Sequence, residues 1–182
     1  MFTNNYLKFR DMMFIGSYRF AGFKSVTGTT FYGAAEHSGE TGDVGGKMHL
    51  ARCQAMPTES GQYNSSFSPG IYFGSGSTPA TKEDYKLESP ITAGLAISNP
   101  AGFTWVLPSS GVYSATASYA VLNTSSEDIT IQEVGNFTVV YDYSGKYQFT
   151  LMERTVLDEP IVIAPGESKL VTYKVTFNQT AE

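Results

Sequence analysis

The side chains able to do chemistry fall in two places. His37 and His49, the only two histidines, lie near Glu36, Glu40, Asp43 and Cys53. These are residue types that ligate zinc, but their spacing matches no ligand pattern. The intervening glycines give no rigid frame, so the segment reads as a solvated loop holding neither metal nor cofactor. A Ser/His/Asp triad would have to take its base from the same segment, whereas catalysis needs a firmly held base. The second place is a pair of strand-like patterns. Glu133 falls in phase with Ile129 and Ile131, and Glu153 in phase with Tyr147, Phe149 and Leu151. Two buried carboxylates are the machinery of glycoside cleavage. The neighbours favour another use. Arg154 follows at once, a buried carboxylate needs a cationic partner, and a β-bulge near Glu153 would turn Arg154 inward. The reading is a structural Glu133–Arg154 ion pair and no catalytic residue.

Other motifs are weaker. Gly74-Ser-Gly76 lacks the third glycine and the Gly-Lys-Ser/Thr of a phosphate loop, and no Gly-x-Ser-x-Gly elbow occurs. Tyr113 and Tyr119 could stack on a sugar, yet they share a face with Ala115, Ala117 and Val121 and read as core. Asn64, Asn123, Asn136 and Asn178 each open an Asn-x-Ser/Thr triplet, which without a signal peptide reads as coincidence in a Ser/Thr-rich chain.

Composition narrows the class. Charged residues make up 16% of the 182 residues, below the roughly 25% of an ordinary soluble domain. Aromatics reach 14%, which suits β-structure and contact surfaces. A net charge of -5 offers no basic footprint for nucleic acid. A single cysteine excludes an intrachain disulfide and a multi-cysteine zinc site. No apolar run is long enough to cross a membrane as a helix, and no secretory signal opens the sequence. Folding in the cytoplasm of the producing cell is expected.

The elements that must position these residues divide at residue 68. Residues 1–68 read as an N-terminal arm and a Gly-rich extended region. The arm carries Phe9, Met12, Phe14, Tyr18, Phe20 and Phe23, in a spacing that fits neither helix nor strand cleanly. From Gly28 to Gly70 the glycine density argues against continuous regular structure. Residues 69–182 read as short strands between turns. Residues 112–122 alternate apolar and Ser/Thr positions, as a half-buried strand does. Residues 81–88 could form one helical turn, with Thr81 as cap and Asp84 three residues on. Asp158-Glu-Pro160 breaks the following pattern, and Ala164-Pro-Gly166 is a turn. The expected fold is all-β: an antiparallel, jelly-roll-like β-sandwich with an irregular Gly-rich N-terminal extension.

Two stretches carry a resemblance. Ile71-Tyr-Phe-Gly-Ser-Gly-Ser-Thr-Pro79, followed by Asp84-Tyr-Lys-Leu87, resembles a segment common in tailed-bacteriophage structural proteins. Asn123-Thr-Ser-Ser-Glu-Asp-Ile-Thr-Ile-Gln-Glu-Val-Gly135, Leu151-Met-Glu-Arg154, Pro160-Ile-Val-Ile-Ala-Pro-Gly166 and Val171-Thr-Tyr-Lys-Val-Thr-Phe177 are similar to the closing half of the same virion proteins. The resemblance implies a β-sandwich building block of capsid, neck, tail or fibre, without enzymatic activity. Its partners would be itself, as a homo-oligomer, and other virion proteins. It would be made in the bacterial host cytoplasm and reside in the virion. Glu133 would be buried, Gly135 would open a turn, and Pro165-Gly166 would set the last hairpin. The arm would order against a neighbouring subunit. The alternative is a carbohydrate-binding adhesin domain of a phage fibre or cell-surface receptor-binding protein, which needs exposed aromatics beside convergent polar groups.

Overall fold

The computed structural model describes residues 1–6, 20–28, 30–33, 70–98, 104–106, 112–141 and 147–178. Nine strands dominate them: β1 (Phe20–Lys24), β2 (Thr30–Gly33), β3 (Gly70–Gly74), β4 (Leu95–Ile97), β5 (Thr104–Val106), β6 (Val112–Asn123), β7 (Ile129–Tyr141), β8 (Tyr147–Ile163) and β9 (Ser168–Asn178). All the strand pairs are antiparallel.

β6 is the centre of one sheet. β9 runs along one side of it in unbroken register from Val112↔Asn178 to Leu122↔Ser168, and β4 and β5 share the other side. The second sheet has the order β3-β7-β8. The alternation of β6 sends Ala115, Ala117, Tyr119 and Val121 inward, and β9 adds Val171, Tyr173 and Val175. They meet Ile71, Phe73, Ile131, Val134 and Ile163 of the second sheet. The fold is therefore an antiparallel β-sandwich, and each larger side chain in its core contributes roughly 1.5–3 kcal/mol.

The second sheet is filled on both faces. Tyr72, Phe137, Phe149 and Leu151 point away from β6 and pack with Leu87 and Val26. Phe137 and Phe149 stack at 4.8 Å, with Tyr72 edge-on to each, and such ring pairs add about 0.5–1.5 kcal/mol apiece. Burial on both faces is why Ile71-Tyr72-Phe73 reads as a continuous apolar run.

This second cluster draws in the N-terminal region. Thr3, Asn5 and Ser25 are buried, and the Val26 N–H donates to the Phe149 carbonyl. Residues 1–6 and Lys24 to Val26 thus contact the described part of the sandwich. The segment expected to be irregular from Gly28 holds β2, which pairs with β1. Of the arm residues, Phe20 and Phe23 fall in β1, while Phe9, Met12, Phe14 and Tyr18 lie outside the described residues.

Three other local expectations change. Gly135 opens no turn; it sits within β7, where a Cβ would meet Phe137, Leu87 and Leu151 at 2.8–3.0 Å. Residues 164–167 make the expected turn, with Gly166 at φ +74. That turn joins β8 of one sheet to β9 of the other and closes no hairpin. Residues 81–84 form a turn without a helix, closed by the Asp84 N–H on the Thr81 carbonyl at 3.2 Å.

Asn123 ties the sheets at one end. Its Nδ2 donates to the carbonyls of Ile163 and Glu127, both at 2.7 Å, and its Oδ1 accepts from Ser125. Asn123 is wholly buried, so its triplet offers no accessible amide for a glycan. Asn123→Ala removes the buried bond to the Ile163 carbonyl, while the Glu127 carbonyl keeps the Ser125 hydroxyl; the change should cost about 1–3 kcal/mol, read as a lower urea midpoint.

Candidate functional site: a buried ionic clasp

Two irregularities in the β7–β8 ladder create the site. Asn136 pairs with Glu153 but Phe137 with Leu151, so Met152 is an extra residue on β8. This bulge reverses the alternation: Leu151 and Arg154 share a side, and Glu153 takes the other. The second irregularity lies between Ile131↔Ile161 and Glu133↔Val156, where residues 157–160 face Gln132 alone. Pro160 has no N–H for a ladder, and this excursion is how β8 continues past the expected break at Asp158-Glu-Pro160. The phase expected for Glu133 changes at the same place. Ile131 lies between the sheets, whereas Glu133 opposes Gly74 and points to the outer face.

On that face Glu133 is 0% exposed and Arg154 3%. Arg154 Nε donates to Glu133 Oε2 at 2.7 Å. The same Oε2 accepts the Glu88 N–H at 3.0 Å, and Oε1 accepts the N–H groups of Ser89 at 2.7 Å and Gly76 at 3.2 Å. Residues 75–90 therefore fold back as a clasp over the end of the sheet. Their ends are joined by the Ser75 N–H on the Ser89 carbonyl and the Ile91 N–H on the Phe73 carbonyl. Leu87, 1% exposed, pins the clasp to the aromatic cluster.

Arg154 serves the clasp from below. Its Nη1 donates to Asp84 Oδ2 at 2.8 Å, and its Nη2 donates to the Thr78 carbonyl at 3.1 Å and to Glu88 Oε2 at 3.5 Å. Asp84 also accepts the Thr81 N–H and hydroxyl, both at 2.9 Å, so the cap pattern is made without its helix. Glu88 accepts the Thr78 hydroxyl and N–H. Burial pushes the Asp84 carboxyl up, but the hydrogen bonds from Arg154 and Thr81 outweigh it and hold it below the ordinary value. The Thr78 hydroxyl and N–H lower Glu88. Burial disfavours the Arg154 charge, and Asp84 and Glu133 more than restore it.

The sign of the pH effect follows. A carboxylate depressed on folding stabilises the fold above its unfolded pKa, and that contribution is lost as pH falls through the folded value. The urea midpoint should be flat from pH 7 to about 5 and decline below about 4. Asp84→Asn should flatten part of the decline.

Chemically the clasp is a closed ionic centre beside an open hollow of about 260 Å³, lined by Thr78, Glu83, Asp84, Tyr85, Lys86, Glu88 and Arg154. The structure brings Glu133 and Arg154 together and does not bring Glu153 to them; Glu153 Oε1 accepts the Thr155 hydroxyl. Sequence reasoning missed Glu88, Thr78 and the backbone donors, and saw Asp84 only as part of a helix cap. His37, His49, Glu36, Glu40, Asp43 and Cys53 lie outside the described residues. Among the described residues no cluster of His, Cys, Asp and Glu suits a metal ion.

No family model, curated protein or solved structure matches the chain.

Proposed function

We propose that the chain is a structural protein of a bacteriophage particle, assembling through contacts with copies of itself and with other virion proteins. The observation that carries this reading is the condition of Glu133. The acid most suggestive of proton transfer in the sequence is wholly buried, and its two oxygens take four hydrogen bonds, three of them from backbone N–H groups. A general acid or base must come within hydrogen-bond reach of its substrate. A carboxylate held in this way instead fixes a loop to a sheet. Three further features support the reading: a sheet filled on both faces makes a rigid block, residues 71–91 and 123–177 resemble tailed-phage structural proteins, and the low charge suits extensive contact surfaces.

Sedimentation and electron microscopy of the purified chain, from micromolar to millimolar, test the proposal. Closed symmetric oligomers that grow with concentration are expected. A monomer throughout that range overturns it, and glycan-array binding lost on changing Trp105 would move the assignment to a carbohydrate-binding adhesin.

A further inference from the structure

Residues 1–6 occupy a slot on the outer edge of β8, and the slot is built from three separate elements. The Thr3 N–H donates to the Met152 carbonyl at 2.9 Å, the Arg154 N–H to the Met1 carbonyl at 3.0 Å, and the Asn4 N–H to the Lys82 carbonyl at 2.7 Å. The Thr3 hydroxyl reaches the carbonyls of Leu151 and Met152 at 2.8 and 3.1 Å. Asn5 Nδ2 donates to the carbonyls of Lys24 and Leu151, and its Oδ1 accepts the Lys24 N–H at 2.8 Å. Thr3 is 0% and Asn5 3% exposed. The segment makes one antiparallel bridge at the β8 bulge and then a helical turn at residues 4–6: backbone bonds supply affinity, and the Thr3-x-Asn5 pair fixes the register.

We infer that this slot accepts residues 1–6 of a second copy of the chain, so that assembled copies are joined by exchanged segments. The inference rests on the assembly reading above. Its first support is reach. Asn5 is bonded to Lys24, and β1 is roughly 15 Å long, so residue 6 lies within about 25 Å of Phe20. The connection 7–19 can span roughly 45 Å. That surplus is enough to reach a slot on an adjacent copy. Its second support is energetic. The same contacts form within a chain and between chains, so concentration sets the balance. A tethered segment holds its own slot against competitors up to roughly millimolar; subunits packed side by side exceed that level. Dilute chains keep their own segment, and assembled chains exchange it.

Phe2 faces Glu153 as a non-hydrogen-bonded antiparallel pair, a spacing of about 4.5 Å between Cα atoms that suits a disulfide. One variant carries Phe2→Cys and a second carries Glu153→Cys, each with Cys53→Ser. Mixed, assembled and oxidised, they can form a disulfide in this slot only between chains. The expected result is an interchain disulfide in the sedimenting fraction and none in dilute protein. A control with both cysteines in one chain should close within the chain when dilute; failure to close overturns the slot. Assemblies that sediment without an interchain disulfide overturn the exchange and leave the assembly reading standing. Absence of any assembly overturns both.

Discussion

Arg154→Met is expected to cost about 3–5 kcal/mol, the range for removing one partner of a buried ion pair. In a chain of this length that lowers the thermal midpoint by about 10 °C. The cause is Glu133, left 0% exposed with a charge and no cation beside it. Buried pairs can often be replaced together by apolar residues at little cost. Here the double change Glu133→Leu with Arg154→Met should fail to restore stability. The N–H groups of Gly76, Glu88 and Ser89 would lose their acceptor, and an unmet buried donor costs about 1–3 kcal/mol. Urea midpoints of the two single variants and the double variant check this. Full recovery in the double variant would show that the backbone bonds carry little.

Gly74→Ala is the second large effect. A Cβ there would stand 2.7 Å from Glu133 Cγ and 2.7 Å from the Ser89 carbonyl oxygen. The first neighbour is locked by four hydrogen bonds and the second is backbone, so neither yields easily. Overpacking of this kind costs about 1–3 kcal/mol, and the upper end is expected. Gly166→Ala is the comparison. A Cβ there meets nothing within 4 Å, and only the positive φ penalises it, by about 1–2 kcal/mol. Gly74→Ala and Arg154→Met both act on Glu133, so their combination should cost less than the sum. Equal losses for the two glycine variants would mean the clasp is more loosely packed than its distances imply.

The strands beyond residue 69 were legible because alternation is local. Residues 112–122 carry their own period, and β6 follows it with a bulge-free partner in β9. The pairing of Glu133 with Arg154 could be reasoned from the cost of burying a lone charge. Its phase could not, because the ladder is irregular between Ile131 and Glu133 and the two residues face opposite sides of the sheet, which no local period announces. Gly135 was read as a turn for lack of a local sign that three large side chains crowd it. Asp84 and Glu88 look like ordinary surface acids in sequence; only the return of residues 75–90 to the sheet gives them Arg154. The boundary drawn at residue 68 followed composition, whereas Thr3, Asn5 and Val26 are placed by contacts with residues more than a hundred positions away.

The clasp has a consequence for how the molecule breathes. Loops usually exchange their amide hydrogens with solvent quickly, because nothing holds those hydrogens between openings. Gly76, Glu88 and Ser89 belong to no strand, yet each gives its hydrogen to a carboxylate sealed under the loop. In heavy water their signals should persist with those of β7 and vanish only when the sheet itself opens. The outermost stretch of this face would then keep the time of the molecule's interior.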